Sequence, residues 1–242
     1  MISEISTIVL AGGKGTRLQT VVADRPKPLA LVAGRPFIEY LFDQLSNAGI
    51  KQVIVSTGYL GEQIQRQFGE TYSTLSLCYS QECVPLGTGG ALRHALPLIT
   101  SQQVLVLNGD SYCDTDIIGL LESHKTKDAL VTITTVAVPD ISRYGSVTAT
   151  QEGLVSDFQE KGIKAGTGFI NAGIYVIDTS VLDTLAPDTM ISLEKEVLPR
   201  YIGKSLYAFA SNGTFIDIGV PEDYQRAQQL FQRIAKEQQG DE

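Results

Sequence analysis

Residues 5–18 read ISTIVLAGGKGTRL, an apolar run followed at once by clustered glycines. The apolar half predicts a first β-strand, and the glycines that follow expose backbone N–H groups at its carboxyl end. Such groups bind phosphate oxygens well, because glycine has no Cβ to block a close approach. Two cations come soon after, Arg17 and then Lys27 within RPKPL at 25–29. This part of the chain therefore predicts a site for a polyphosphate.

The three glycines alone could equally form a simple turn between a strand and a helix. The segment lacks the Gly-x4-Gly-Lys-Ser/Thr pattern of a P-loop. It also lacks the dinucleotide fingerprint, because Leu18 stands where a third glycine is needed and no acidic residue closes a second strand about 20 residues later. The cations Arg17 and Lys27 make the phosphate role the better interpretation.

Apolar β-branched runs alternate with helical patterns over the first 135 residues. The strand-like runs lie at 5–10, 52–56, 104–107 and 129–136, and the helical patterns at 36–48, 59–68, 89–96 and 116–124. This alternation predicts an α/β fold, a three-layer αβα sandwich around a mostly parallel, Rossmann-like mixed sheet. A ligand of such a sheet binds at the carboxyl ends of the strands.

After residue 140 the pattern changes to shorter strand-like runs joined by turns. These runs lie at 145–149, 154–159, 170–177, 205–210 and 214–218. They are expected to extend the sheet and to build a small antiparallel β-subregion. A last helix is predicted to begin at Pro221, since Glu222 and Asp223 would occupy its first turn.

Composition excludes several classes of protein. The chain has 242 residues and a formal net charge of −8. It therefore lacks the basic surface of a nonspecific nucleic-acid binder, and a phosphate ligand must be met by local cations or a metal. Three cysteines without metal-ligand spacing indicate reduced thiols in the cytoplasm. No basic N-terminal region with a long apolar stretch is present, so neither a signal peptide nor a membrane span is expected.

Two aspartates are candidate metal ligands. Asp110 ends a predicted buried strand in LNGD at 107–110, and Asp217 interrupts an apolar run in FIDIG at 215–219. Polyphosphate chemistry usually needs Mg²⁺, which prefers one or two carboxylates together with phosphate oxygens and water. A turn or capping role for Asp110 remains open, and Asp114 and Asp116 are expected to start the helix that follows.

Three further segments carry weaker signals. LGTGGAL at 86–92 is a second glycine-rich turn, whose N–H groups could contact a base edge or a phosphate, or could simply turn the chain. The pairs Glu160–Lys161 and Asn171–Gly173 offer the donors and acceptors that a sugar needs, although surface placement explains them equally well.

Together these segments resemble the family of sugar-1-phosphate nucleotidylyltransferases. The matching segments follow the order of the family and span nearly the whole chain: GGKGTRL at 12–18, RPKPLALV at 25–32, PLGTGGAL at 85–92, LNGD at 107–110, EKG at 160–162, INAGIY at 170–175 and FIDIG at 215–219. Within the family, the segments 21–24, 142–145 and 215–224 most resemble the members that transfer GMP to a heptose 1-phosphate. The fold that the resemblance implies is the nucleotide-diphospho-sugar transferase fold.

The resemblance also implies roles for residues. Arg17 and Lys27 would be catalytic, and Asp110 and Asp217 would hold Mg²⁺. The nucleotide site would comprise Leu10, Ala11, Gly12, Gly13, Gly15, Thr16, Arg17, Gly87, Thr88, Asn108, Gly109 and Asp110. The sugar site would comprise Gly145, Glu160, Lys161, Asn171 and Gly173. Glu82 joins the nucleotide site because it precedes the second glycine turn and guanine presents N–H donors to an acceptor; an exposed surface role fits it equally well.

The expected protein is a single domain, 1–242, with a nucleotide-binding part at about 1–135, a sugar-binding part at about 136–220 and a C-terminal helix at about 221–238. Its expected substrates are GTP and D-glycero-α-D-manno-heptose 1-phosphate. Two alternatives stay open: the same chemistry with mannose, glucose or N-acetylmuramic acid 1-phosphate and GTP, UTP or dTTP, and a non-catalytic regulatory protein that binds nucleotide sugars. A homodimer is possible, and neither nucleic acid nor a membrane is expected as a partner.

Overall fold

The computed structural model describes residues 2–13, 15, 17–18, 22, 24–159 and 166–240. Its strands are β1 (Ser6–Ala11), β2 (Leu31–Val32), β3 (Arg35–Pro36), β4 (Gln52–Thr57), β5 (Thr71–Tyr72), β6 (Leu75–Gln81), β7 (Gln103–Asn108), β8 (Ser111–Cys113), β9 (Val131–Val138), β10 (Ser146–Ala149), β11 (Val155–Gln159), β12 (Gly168–Asp178), β13 (Leu206–Ser211) and β14 (Phe215–Asp217). Its helices are α1 (Phe37–Asn47), α2 (Gly61–Phe68), α3 (Gly87–Ala95), α4 (Ile117–Thr126), α5 (Thr179–Asp183) and α6 (Pro221–Gly240). Short 3-10 turns lie at Ile2–Glu4, Lys27–Leu29, Leu96–Leu98 and Leu198–Tyr201, and one π-helical turn at Leu193–Val197.

A single large sheet forms the centre of the molecule. Four parallel strands lie side by side in the order β6-β4-β1-β7. Beyond β7 the long strand β12 runs antiparallel and also pairs with β9 and β10, while β13 pairs parallel with β9. Two small antiparallel ladders, β2–β3 and β8–β14, lie outside this sheet. The predicted α/β fold with a mostly parallel mixed sheet is confirmed.

Both faces of the parallel strands are buried, which explains their continuous apolar runs. In β1, Val9 faces one core with α1, α2 and α4, while Ile8 faces a second core with α3 and α5. Neighbouring side chains of a strand point to opposite faces, so one short run supplies both cores. Helices therefore cover the sheet on both sides, as the predicted three-layer sandwich requires.

The sequence predicts no strand between 68 and 89, and this is wrong, because β6 lies there. Its residues alternate between buried Leu75 and Leu77 and exposed Ser76, unlike the continuous runs of the inner strands. The reason is its position: β6 pairs with β4 along its length, but only the two-residue β5 covers its other edge. An outer strand of this kind carries a weaker apolar signal.

The helix ends follow the predictions closely. Asp116 caps α4, since its Oδ1 accepts a hydrogen bond of 2.9 Å from the N–H of Gly119. Helix α6 begins at Pro221 as predicted and packs through Phe231 against Tyr40, with the ring centroids 3.8 Å apart. None of the helices in the described part of the chain is long and apolar enough to cross a membrane.

Candidate active site

A cavity of about 420 Å³ opens at the carboxyl ends of the parallel strands. Most of the residues predicted for catalysis and nucleotide binding line it, together with five residues to which the sequence assigned no individual role. The predicted ones are Leu10, Ala11, Gly12, Gly13, Gly15, Arg17, Lys27, Glu82, Gly87, Thr88, Asn108 and Asp110. The additional ones are Pro28, Ser56, Pro85, Ala91 and Gly219. Residues that are up to about 200 positions apart in the sequence therefore share one concave site, where ligands of such sheets bind.

Gly15 allows the glycine segment to pass close to Lys27. Its φ is +59°, a conformation that L side chains rarely adopt, and a Cβ at this position would lie 3.1 Å from Lys27 Cβ. A side chain here would strain the backbone and displace the lysine. Glycine at this position therefore allows both the turn of the backbone and the close approach of Lys27.

Lys27 and Asp110 form an ion pair inside the cavity. Lys27 Nζ lies 2.6 Å from Asp110 Oδ2, and the lysine side chain is only 8 % exposed while the aspartate is 42 % exposed. A buried ammonium needs a charged or polar partner, which Asp110 provides. The pair thus holds a positive charge next to a carboxylate at the strand end where polyphosphate would bind.

The second predicted metal ligand, Asp217, lies beside the first. In the β8–β14 ladder Asp217 stands opposite Ser111, and the N–H of Ile218 donates to the carbonyl of Asp110 over 3.0 Å. The N–H of Gly219, which lines the cavity, donates to Asp217 Oδ1. The ladder therefore places Asp217 next to Asp110 and Gly219, which line the cavity, although Asp217 itself is not one of the lining residues.

Helix α3 approaches the cavity with its first turn, where Gly87 and Thr88 form part of the wall. The N–H groups of Gly89 and Gly90 both donate to the carbonyl of Ile191, over 2.8 and 3.2 Å. Of the two readings that the sequence left open, a turn therefore accounts for these two N–H groups, and a contact of Gly87 or Thr88 with a base or a phosphate stays a prediction. The segment before the π-helical turn has taken up these donors instead.

Glu82 lies in the cavity wall rather than on the open surface. Its Oε2 accepts a hydrogen bond of 2.9 Å from the N–H of Leu86, at the start of α3. Burial raises the pKa of the Glu82 carboxyl, and the Leu86 N–H, His94 and the Ser56 hydroxyl act in the opposite direction. The carboxylate is thus a partly desolvated acceptor that faces the space inside the cavity.

The described residues of the predicted sugar site form a contiguous group beside the cavity. The N–H of Asn171 donates to the carbonyl of Gly145 over 3.2 Å, and the N–H of Gly173 donates to Asn171 Oδ1 over 3.0 Å. Gly173 has a φ of +78°, and a Cβ there would lie 2.8 Å from Nδ2 of Asn108, which lines the cavity, so only glycine fits at this point. The structure therefore brings Gly145, Asn171 and Gly173 together.

A hydrogen-bond network around Glu194, which the sequence does not predict, connects Thr88 in the cavity wall with Asn171. Thr88 Oγ1 donates to Glu194 Oε2 over 2.7 Å, and the fully buried Tyr175 donates to Glu194 Oε1 over 3.1 Å. Tyr175 in turn accepts a hydrogen bond of 2.8 Å from Asn171 Nδ2. Glu194 stands in a segment without strand or helix periodicity, so its role follows only from contacts between distant parts of the chain.

Four predicted site residues are not among those that the structure places in the site. Gly109 does not line the cavity but supports it, because its N–H donates to the carbonyl of Leu10 over 2.8 Å. Thr16, Glu160 and Lys161 lie outside the described residues.

Comparisons with known proteins agree with the geometry. A family model described as Nucleotidyl transferase matches residues 6–233. The chain is 38% identical to the D-glycero-alpha-D-manno-heptose 1-phosphate guanylyltransferase of Aneurinibacillus thermoaerophilus, over 94% of this chain and 99% of that protein. It is 34% identical to the mannose-1-phosphate guanylyltransferase of Mycobacterium tuberculosis, over 92% of this chain and 63% of that protein.

A solved structure is similar over the same range. The crystal structure of HddC from Yersinia pseudotuberculosis complexed with GMP-PN superposes with a TM-score of 0.83 at 35% identity, covering 94% of this chain and 99% of that chain. The resemblance stated from the sequence motifs is thereby confirmed. The chain belongs to the nucleotidyl transferase family.

Proposed function

We propose that the protein transfers GMP from GTP to D-glycero-α-D-manno-heptose 1-phosphate, which gives GDP-heptose and pyrophosphate. The observation that carries the chemistry is the Lys27–Asp110 pair in a strand-end cavity, with Asp217 on the adjoining ladder. The choice of substrates is supported by the similarity to a heptose 1-phosphate guanylyltransferase and to a protein solved with GMP-PN.

In this reaction an oxygen of the sugar phosphate attacks the α-phosphorus of the triphosphate, and the bond to the pyrophosphate oxygen breaks. The attacking phosphate is already ionised, so no general base is needed. The difficulty is that two polyanions must approach each other, and catalysis therefore depends on positioning and charge neutralisation. Lys27 is suited to contact the α-phosphate and the sugar phosphate, and Arg17 to contact the departing pyrophosphate.

Asp110 and Asp217 are the residues that would hold Mg²⁺. Among the described residues no group of three or more His, Cys, Asp or Glu side chains could hold a metal. Two carboxylates at one edge of a phosphate site fit Mg²⁺, which takes its remaining ligands from phosphate and water. When bound, the ion would neutralise charge on the phosphates and orient them.

We assign the base to the Glu82 side of the cavity. Guanine offers N1–H and N2–H₂ donors, and a desolvated carboxylate is a strong acceptor for both. The sugar would lie on the other side, beside Gly145, Asn171 and Gly173, with Glu160 and Lys161 as further predicted contacts. In this arrangement both substrates meet at Lys27 and Asp110.

A second candidate reaction uses mannose 1-phosphate with GTP, and the similarity to a mannose-1-phosphate guanylyltransferase favours it over other pairs. The test is a pyrophosphate-release assay that crosses GTP, UTP, dTTP and ATP with the 1-phosphates of heptose, mannose, glucose and N-acetylmuramic acid. We expect the highest kcat/KM for GTP with the heptose phosphate. A clear preference for mannose 1-phosphate would assign the second reaction, and absence of turnover with every pair would favour the regulatory alternative. A cytoplasmic location and a homodimer stay predictions.

A further inference from the structure

Four side chains form a row across the sheet, and three of them line the cavity. The strand register pairs Ser80 with Ser56, Ser56 with Leu10, and Leu10 with Asn108, on β6, β4, β1 and β7. In parallel strands, residues in register point to the same face of the sheet. All four therefore lie on the face that α3 covers, and Ser56, Leu10 and Asn108 line the cavity.

Ser56 is the member of this row whose role is not explained by the fold. It is 1 % exposed, and within the part of the chain that the structure describes its Oγ has no partner with the distance and angles of a regular hydrogen bond, although the Glu82 carboxylate lies near enough to interact with it. A buried hydroxyl without a partner costs free energy, and a ligand that offers an acceptor would recover it. In the sequence, Ser56 is the last residue of the strand-like run at 52–56, and a single serine in such a run does not indicate a ligand contact.

The position of Ser56 separates it from the phosphate end of the cavity. Adjacent strands lie about 4.8 Å apart, so Ser56 is about 10 Å across the sheet from Asn108, two residues before Asp110. Glu82 follows the end of β6, on the same side as Ser56. The Ser56 hydroxyl interacts with the Glu82 carboxylate and acts to lower its pKa, as the Leu86 N–H and His94 also do, against the larger effect of burial, which raises it. A donor and an acceptor thus lie together at the end of the cavity opposite the metal ligands.

We propose that Ser56 is a specificity-determining residue whose Oγ–H donates a hydrogen bond to O6 of guanine, next to the Glu82 carboxylate that accepts the N1–H and N2–H₂ groups. The pairing matches the Watson–Crick edge of guanine, which presents one acceptor beside two donors. Adenine presents an amino donor where guanine has O6 and an unprotonated N1 that would face the carboxylate, so the same pair disfavours it. This inference rests on the proposed function, because it assumes that GTP is the nucleotide.

The test compares Ser56→Ala with Ser80→Ala, the same change at a buried position of the same row that does not line the cavity. Each variant is assayed with GTP and with 6-thio-GTP, in which sulfur, a weak acceptor, replaces O6. We expect Ser56→Ala to raise the KM for GTP about 3- to 10-fold, with kcat nearly unchanged. With 6-thio-GTP, the variant and the wild type should have nearly the same KM. Ser80→Ala should match the wild type with both nucleotides. Ser56→Cys, nearly equal in volume but a weak donor, should repeat the effect on GTP if the alanine variant is unstable.

The outcomes separate the two proposals. A wild type that prefers UTP or dTTP to GTP overturns the assigned nucleotide and this inference together. A wild type that prefers GTP, with Ser56→Ala equally active, overturns this inference alone. An equal loss with GTP and 6-thio-GTP also overturns it, because Ser56 would then act only by supporting Glu82 or the strand.

Discussion

At the scale of single residues, burial sets Glu82 apart from an ordinary surface carboxylate. From the sequence alone, Glu82 is assigned to the site only because it precedes a glycine-rich turn, and an exposed surface role fits it equally well. In the structure it lines the cavity and has one carboxylate oxygen bonded to the Leu86 N–H. The carboxylate can accept further hydrogen bonds from the cavity. A base whose N–H groups do not match it would leave buried polar groups unpaired.

We therefore expect Glu82→Gln to raise the KM for GTP about tenfold, and to change the KM for UTP or dTTP much less. The amide keeps the size of the side chain but replaces an acceptor with a donor, which would face the donors of guanine. Steady-state kinetics with each triphosphate measures the effect, and Glu62→Gln, on the exposed side of α2, is the matched control. Equal changes for every triphosphate would contradict the assignment.

At the scale of elements, the β8–β14 ladder brings together the two aspartates proposed to hold Mg²⁺. Asp110 and Asp217 are far apart in sequence, and only the antiparallel pairing of two three-residue strands joins them. Gln44 on α1 fixes β8 from the other side, since its Nε2 donates to the carbonyl of Cys113 over 2.7 Å. Short strands held by such bonds can place a carboxylate accurately without a large sheet.

Asp217→Asn is expected to raise the Mg²⁺ concentration required for half-maximal activity about 10- to 100-fold, while the affinity for the sugar phosphate stays nearly unchanged. The amide preserves the shape of the side chain and removes the charge that attracts the cation. A titration of activity with Mg²⁺ at saturating substrates measures this shift. Asp114→Asn, at an exposed position beyond the other end of the ladder and outside the cavity, serves as the control, and equal behaviour of the two variants would remove Asp217 from the metal site.

The elements also show which features the sequence can predict. β1, β4 and β7 are evident because burial on both faces produces continuous apolar runs, and the motifs at their carboxyl ends indicate the site. β6 is missed because one edge is barely covered and its residues alternate. Glu194 and Ser56 are missed for a different reason: their roles come from contacts between segments distant in the chain, which periodicity does not encode.

At the scale of the whole molecule, one buried histidine links stability to pH. His124 on α4 is fully buried, with Nδ1 2.8 Å from Thr132 Oγ1, and Nε2 makes no hydrogen bond within the described residues. Burial lowers its pKa from 6.5 to about 4, although the charges of Asp178 and Asp128 act in the opposite direction. The folded protein therefore holds this ring neutral over a pH range in which the unfolded chain protonates it.

This difference predicts that the free energy of unfolding falls as the pH is lowered from 7 towards 4. The unfolded state binds the extra proton below about pH 6.5, so the contribution of His124 is about 2 kcal/mol smaller at pH 5 than at pH 7. Urea unfolding at several pH values measures the slope, which His124→Gln should reduce. A slope that survives in the His124 variant would assign the effect to other groups.

The distribution of charge over the whole molecule also explains how a chain with a net charge of −8 can bind two anionic substrates. The positive charge is local, at Arg17 and Lys27 beside the strand ends, and the aspartates add a place for a divalent cation. The surface field as a whole does not attract the substrates. The central claim is therefore that nucleotidyl transfer takes place at this one cluster of charges.

The most direct measurement is pyrophosphate release from GTP and the heptose 1-phosphate with Mg²⁺, by the wild type, Lys27→Ala and Asp110→Ala. We predict turnover by the wild type and a loss of about a thousandfold or more in kcat for each variant, with circular dichroism spectra like that of the wild type. Lys127→Ala, which removes a lysine bonded to the Glu152 carbonyl outside the cavity, should retain full activity. A kcat close to that of the wild type in either folded variant, Lys27→Ala or Asp110→Ala, would contradict the account.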